Sequence, residues 1–391
     1  MCVGFIGHWR DIIKLMEPFK NLFSPELVRC IGQHLQFHLP DFEREAFEGD
    51  ILAQLEKLEL KERSQLIADH IHVVLPTAND ERYRILLAML HPEELNNEGK
   101  RSDQDGIRGW GIYPLTMVVG QHYGEAFDAA MAVLKEMTKR FTAEFEVRHL
   151  LVADQERALA TLAQWTDDPN HHVRRLVSEG SRPRLPWGLQ LTQLVKDPLP
   201  TLPLLTALRD DESEYVRRSV ANHLNDIAKD HPDLVAELAQ DWMKEANKNR
   251  EKLLRHACRT LIKQGHAGAL TAFGIEVPQL KLVELRVDSN NVQFGDALVF
   301  NAELHSDSLK PQTLIIDYLL HFKKANGSLA AKVFKGTKLT LGAGESHTFS
   351  KKHAIKPITT RKYYAGEQGL SLRINGRDFN YVSFELLMDK T

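Results

Sequence analysis

The chain lacks the short motifs that mark the commonest enzymes. It has no glycine-rich phosphate loop, no G-x-S-x-G elbow and no H-E-x-x-H pair, which excludes the usual P-loop, serine-hydrolase and zinc-protease sites. Its three cysteines, Cys2, Cys30 and Cys258, form no C-x-x-C pair, so a disulfide or zinc framework is excluded and a reducing compartment is expected. No apolar run reaches membrane-spanning length. The opening MCVGFIGHWRDIIKLM is mildly apolar, but Arg10, Asp11 and Lys14 interrupt it and no small-residue cleavage site follows, so a cytoplasmic location is expected. There is no excess of positive charge either: 50 Lys+Arg stand against 53 Asp+Glu, a net charge of −3. A polyanionic partner would therefore have to be met by a local patch.

What is present divides in two. The 391 residues are enough for two domains, and the pattern changes near Val277-Pro278. Residues 1–277 are predicted to form an α-helical domain and residues 278–391 an all-β one. Ser24-Pro25-Glu26 reads as an N-cap with proline in the first turn. Leu55–Ile71 has helical apolar spacing, and further helices are expected from Asp80, Glu125 and Asp154. The polar loop Asn96–Gly106 separates them.

A repeat then emerges. Trp165-Thr166-Asp167-Asp168 precedes Val173-Arg174-Arg175, and 43 residues later Leu208-Arg209-Asp210-Asp211 precedes Val216-Arg217-Arg218. A weaker copy runs from Ala246 to Leu254. Each is a helix end, an acidic turn and a second helix, at a period close to that of HEAT and armadillo repeats. Such pairs must stack to bury their apolar faces, which predicts a HEAT-like solenoid. A basic cluster recurring at this period would suit a phosphate backbone.

Beyond Pro278 the pattern alternates. LVELRV, VQFGDALVFNAELHS, TLIIDYLLHFKK, KLTLGAG and SLRINGRDFNYVSFEL read as strands, with turns at Asn326-Gly327 and Asn375-Gly376. They predict an immunoglobulin-like β-sandwich. This part carries 16 Lys+Arg and 11 Asp+Glu, and its surplus is open to two readings: a solvated surface or a second basic contact.

The candidate chemistry rests on carboxylates and arginines. His70/His72 and His171/His172 have no carboxylate or thiol at ligand spacing, so no metal is expected. Glu144 stands four residues before Arg148. Glu179 follows Arg175 by four and precedes Arg182 by three. Asp226 follows Asn222 by four and Arg218 by eight. Each could be only an intrahelical pair. One arginine of each V-R-R could bond an acidic turn of the next repeat, leaving the other for phosphate. Trp187, after the stiff Arg182-Pro183-Arg184-Leu185-Pro186, is either a core indole or a stacking platform. Trp110 and Trp165 are expected in the core.

LELKER (58–63), WGIYPLT (110–116), TAEFEVR (142–148), VRRLVSEGSRPRLPW (173–187) and SVANHLNDIAKDHPD (219–233) together closely resemble the AlkC branch of the AlkC/AlkD DNA glycosylases. The resemblance covers nearly the whole helical part, and some AlkC proteins also carry a C-terminal immunoglobulin-like domain. It implies a HEAT-like fold and monofunctional excision of cationic N-alkylated bases, notably 3-methyladenine and 3-methylcytosine, without base flipping or a cofactor. The partner would be double-stranded DNA containing alkylated bases, and the protein a monomer. Glu144, Glu179, Asp226 and Trp187 would be the catalytic positions. Arg148, Arg174, Arg175, Arg182, Arg184, Arg217, Arg218, Asn222 and Lys229 would contact DNA. The AlkD branch places a carboxylate one helical turn from a tryptophan, and no such pair occurs here, so only AlkC positions carry over. The alternatives are a non-catalytic HEAT scaffold for bent or damaged DNA, and a protein-interaction solenoid whose binding ignores DNA.

Overall fold

The computed structural model describes residues 18–93, 101–358 and 361–388. The opening Met1–Met16 and residues 96–100 of the polar loop lie outside them. By backbone contacts the chain divides into two units, Met1–Asp226 and Ile227–Thr391.

Among the described residues the first unit contains α1 (Pro25–His38), α2 (Arg44–Leu55), α3 (Leu60–Val74), α4 (Asn79–Ala88), α5 (Ile112–Gln121), α6 (Phe127–Thr138), α7 (Val147–Ala153), α8 (Gln155–Ala163), α9 (His171–Gly180), α10 (Thr192–Lys196), α11 (Leu202–Leu208) and α12 (Glu214–Ile227). Side-chain caps begin several of them. Ser24 accepts a bond from the Leu27 amide, with Pro25 in the first turn of α1, Asp154 accepts from Arg157 and Asn170 from His172; each satisfies an amide that the helix leaves open. The expected single helix Leu55–Ile71 is instead two. α2 ends at Leu55, and Glu59 opens α3 through a reciprocal capping box with Glu62. Apolar spacing continues across this turn, so periodicity alone hides it.

Arginines near helix starts repeat one device. Arg174 Nη1 reaches back to the carbonyls of Asp168 at 2.8 Å and Pro169 at 3.1 Å. Arg217 Nη1 does the same to Asp211 and, at 2.8 Å, Glu212. Arg82 reaches Pro76 O at 3.1 Å and Thr77 O at 3.2 Å. A turn leading into a helix has carbonyls without ladder partners, and the guanidinium fork satisfies two at once. Arg174 also grips Asp211 of the next repeat through both carboxylate oxygens, at 2.6 and 3.0 Å. This is the inter-repeat pairing anticipated for one arginine of each V-R-R.

The second unit opens with α13 (Pro232–Met243), α14 (Lys248–Ala257), α15 (Arg259–Gln264) and α16 (Ala267–Ala272), followed by β1 (Leu280–Val287), β2 (Asn291–Gln293), β3 (Ala297–Ser306), β4 (Gln312–Lys323), β5 (Leu329–Leu341), β6 (Ser346–Ala354), β7 (Gly366–Ile374) and β8 (Arg377–Leu387). The strands form two sheets, β1-β3-β6 and β2-β8-β7-β4-β5. Inward-pointing Leu298, Phe300, Ile316, Leu320, Leu370, Leu372 and Phe384 fill the space between them. β6 was not among the expected strands. Exposure alternates along its nine residues, but of the inward-turned positions His347, Phe349, Lys351 and His353 only Phe349 is apolar and buried, so this edge strand shows no alternation of hydropathy. The Asn375-Gly376 turn joins β7 to β8 with both residues at positive φ, 46° and 79°, as a two-residue hairpin requires. Its glycine lies against Gly265 at the end of α15: a Cβ on Gly265 would stand 2.1 Å from the Gly376 Cα. Around this contact Asn375 Nδ2 donates to Glu276 O at 2.9 Å.

Candidate active site

The three carboxylates singled out in the sequence converge within the first unit. Arg175, Glu179 and Arg182 lie along α9 and the turn after it; Ser219, His223 and Asp226 lie along α12 at the same i, i+4, i+7 spacing. The two rows face each other. Glu179 Oε2 accepts a bond from Ser219 Oγ at 2.5 Å, and its Oε1 accepts from Arg182 Nη1 at 2.6 Å. Arg182 continues to Asp226, with Nε and Nη2 each 2.8 Å from Oδ2. His223 Nδ1 donates to Ser178 O at 2.9 Å. The partners that cross between the two helices stand 40 to 45 residues apart in sequence, about one repeat.

Glu144 joins from the turn before α7. Arg175 Nη1 bonds its Oε2, Thr142 Oγ1 donates to the same oxygen at 2.8 Å, and Arg175 Nη2 stands 3.5 Å from Glu179. Among the described residues no group hydrogen-bonds Glu144 Oε1. Glu144, Glu179 and Asp226 are 8%, 6% and 2% exposed, so all three carboxylates are buried and Glu144 is the least so.

Arg148, on α7, is wholly buried. Its Nε donates to Leu189 O at 2.5 Å and its Nη1 to Gly180 O at 2.8 Å, while Nη2 has no partner. Gly180 permits this approach, since a Cβ there would meet Val147 Cγ1 at 2.6 Å.

The electrostatics follow from this packing. Burial opposes charge on Glu179, but Arg175, Arg182 and the Ser219 hydroxyl outweigh it and hold the carboxyl below its ordinary range. Burial also opposes charge on Arg182, which Glu179 and Asp226 nevertheless hold above its usual value. Arg148 is pulled down to about 10 by burial and by Arg182 beside it, against the attraction of Glu144, Asp226 and Glu179. Burial drives His223 to about 4, so the imidazole is neutral at physiological pH. Its Nδ1 carries the proton given to Ser178, and its buried Nε2 accepts from no group.

Four arginines expected to contact DNA are therefore engaged inside the fold. Arg148 and Arg182 are buried in the cluster, and Arg174 and Arg217 close the repeat turns. A phosphate cannot reach a guanidinium whose donors face internal carbonyls and carboxylates at 0–9% exposure. Arg175 is half-buried on Glu144, with the Tyr215 ring 5.1 Å from its guanidinium. Arg218 is different: its side chain is 66% exposed and pairs with Glu214 of its own helix at 3.5 Å. Lys229 is exposed, and Arg184 and Asn222 are half-buried with partners of their own.

Trp187 does not belong to the core. Its indole is 69% exposed and its backbone is left-handed, with φ 65°. Trp165 is buried as expected, and Trp110 packs between Phe23 and Phe141. Thr142, Ser219 and His223 were missed by sequence reasoning. Laying the two V-R-R repeats in register at 43 residues pairs Ser219 with Leu176 and His223 with Gly180, so the repeat alone gave no signal for them. The histidine pairs serve in packing: His70 bonds Leu66 O, His72 stacks on His122, and His171 and His172 pack on Tyr215. His91, Asp103 and Asp105 bring ligand atoms within 4.8 Å of one another, but Arg108 already bonds Asp103.

Comparison with known proteins agrees with this architecture. Residues 281–388 match the family described as "Uncharacterised protein YhaZ, C-terminal Ig-like domain". The protein YhaZ of Bacillus subtilis (strain 168) is 35% identical over 374 residues, which is 95% of this chain and 100% of that protein. Among solved structures, Pseudomonas fluorescens alkylpurine DNA glycosylase AlkC, bound to DNA containing an abasic site analog, superposes with a TM-score of 0.81. It is 34% identical and the match covers 95% of this chain and 100% of AlkC.

Proposed function

Because the chain belongs to the AlkC family, we propose that it is an alkylation-repair DNA glycosylase acting on double-stranded DNA, and that it releases cationic N-alkylated bases such as 3-methyladenine and 3-methylcytosine. The observation that carries this reading is the convergence of Glu144, Glu179 and Asp226 in one cluster, in a chain similar to a glycosylase over nearly its whole length.

The chemistry suits the residues. A base methylated at N3 carries a positive charge and leaves without much help from a general acid. As the N-glycosidic bond breaks, positive charge grows on the deoxyribose. A preorganised carboxylate stabilises that oxocarbenium character and can orient the attacking water. Arg175 and Arg182 hold the carboxylates in place and hold Glu179 below its ordinary range, and Glu144 Oε1 is the oxygen left open for the reacting centre. Trp187 would lie against the sugar of the lesion. Since the base need not enter a closed pocket, flipping is not required. Hydrolysis by water makes the enzyme monofunctional.

Arg218, Arg184, Asn222 and Lys229 remain the proposed DNA contacts. The domain comprising residues 278–391, with its surplus of lysine and arginine, would add a second. Its removal is expected to lower DNA affinity and excision together while the helical circular-dichroism signal persists; unchanged affinity would take the sandwich out of the interface. Among the described residues no helix is long and apolar enough to cross a membrane. We further propose a monomer acting in the cytoplasm on chromosomal DNA.

The test is release of free bases from methylated duplex DNA, with and without chelator. Release at equal rates is expected; no release, or release abolished by chelator, would overturn the reading. The internal pairing of all three carboxylates is what favours the second reading, a non-catalytic scaffold that holds damaged DNA. It predicts binding to methylated duplex without base release.

A further inference from the structure

We propose that Lys61 and Arg148 are positioning residues that lock Trp187 into its exposed, left-handed pose before DNA arrives. The inference rests on the glycosylase reading only for what the indole is used for; the lock itself is a property of the free protein.

An exposed aromatic residue at φ 65° is doubly unfavourable. A side chain with a Cβ is strained in the left-handed region, and an indole in water forgoes burial. Such a conformation persists only where surrounding bonds over-determine it, and here they come from three sides. At the base, the single buried guanidinium of Arg148 holds both ends of the segment, Gly180 O at 2.8 Å and Leu189 O at 2.5 Å. Within it, the Leu191 amide closes back on Pro183 O at 3.2 Å and the Gly188 amide on Leu185 O at 3.1 Å, while Pro183 and Pro186 remove backbone freedom. At the apex, Lys61 Nζ, from the first turn of α3 and 126 residues away in sequence, donates to the carbonyl of Trp187 itself at 2.6 Å.

The Lys61 contact is the informative one. It bonds the backbone of the residue in the strained conformation, where it fixes ψ and hence the direction of the indole. Without it the peptide can rotate toward the β region, and the ring would leave its pose. A platform held in its bound shape avoids ordering at the moment of binding.

Lys61 is exposed, so Lys61→Ala should fold, whereas loss of Arg148 would empty a buried site. The experiment compares the full chain with Lys61→Ala, Lys61→Arg, Trp187→Ala and the double variant Lys61→Ala/Trp187→Ala, on duplex DNA carrying a stable abasic-site analogue. Loss of one charged hydrogen bond is expected to weaken binding by about tenfold. Lys61→Arg should recover most of it. The double variant should bind no worse than Trp187→Ala, because the lysine acts through the tryptophan. The slope of affinity against salt should be unchanged in Lys61→Ala. Additive losses, or a slope flattened by about 0.9 as for a phosphate contact, would overturn the lock. In the free protein, iodide quenching of Trp187 fluorescence, taken as the difference from Trp187→Phe, should change in Lys61→Ala; identical quenching also overturns it. If wild type neither binds nor cuts damaged DNA, the glycosylase reading fails while the quenching comparison still decides the lock.

Discussion

Arg182 separates an internal role from a DNA-binding one more sharply than any other residue. Replacing it with alanine leaves two buried carboxylates short of a partner. Glu179 retains Ser219 at 2.5 Å and Arg175 at 3.5 Å, whereas Asp226 loses contacts to Nε and Nη2, both at 2.8 Å. Breaking a buried ion pair from one side costs about 3–5 kcal/mol. For a unit of this size each kcal/mol lowers Tm by about 2–4 °C, so Arg182→Ala should melt roughly 10 °C below wild type. The pH dependence carries a sign. Because the Glu179 carboxyl is held low in the fold, its contribution is present above the unfolded value near 4.3 and is lost as pH falls through the folded one. The gap between wild type and variant should therefore be widest near neutrality and narrow in acid. Arg218→Ala is the control. That side chain is 66% exposed, so stability should change by less than about 0.5 kcal/mol, while the slope of log affinity against log salt flattens by about 0.9. Melting curves from pH 7 down to about pH 2, through and below the unfolded carboxyl value, and DNA titrations at several salt concentrations would decide. An Arg182→Ala protein that melts like wild type but loses salt dependence would refute the internal assignment.

Two further outcomes follow from the same geometry. Glu179→Gln and Asp226→Asn keep size and remove charge, so excision should slow by roughly a hundredfold or more while DNA affinity holds or rises; parallel losses in both, measured by single-turnover base release and titration, would mark a purely structural role. His223, at about 4 in the fold against about 6.5 unfolded, stays neutral while the unfolded chain takes up its proton. Wild type should thus lose about 3 kcal/mol as pH falls from 6.5 to 4, and His223→Asn, which can still donate to Ser178 O, should lose less over that window in urea titrations. Equal losses would show that His223 does not control this range.

The parts that local spacing controls were legible in the sequence. The N-cap at Ser24, the helix start at Asp154 and the Asn375-Gly376 turn depend only on residues within a few positions. The repeat also predicted an arginine spent on the next acidic turn, and Arg174 on Asp211 is that contact. What could not be read is which charges face each other. Arg182 was assigned to DNA because only its neighbour Glu179 was visible in the sequence and Asp226, 44 residues on, was not. Arg148 was misjudged for the same reason. Burial of a charge is decided by stacking between repeats, which leaves no trace within one. Trp187 showed the reverse: its apolar character allowed a core position, and only its 69% exposure in the fold shows that it points outward. β6 escaped because three of its four inward-turned residues, His347, Lys351 and His353, are polar, so its two-residue period does not appear in hydropathy.

The meeting of Gly265 with Gly376 bears on how such a protein can be assembled in evolution. Both residues sit at φ 79°, and a Cβ on either would fall 2.0 to 2.1 Å from the other's α-carbon. The end of α15 and the β7–β8 hairpin thus meet backbone to backbone, with no side chain available to adjust the fit. Similarity to the immunoglobulin-like family begins only at residue 281, which would tempt one to place a recombination joint just before it. A sandwich inherited from that joint would arrive with a bare glycine turn shaped for a helix end left behind. The compact unit that holds this contact begins instead near Ile227, with four helices alongside the strands.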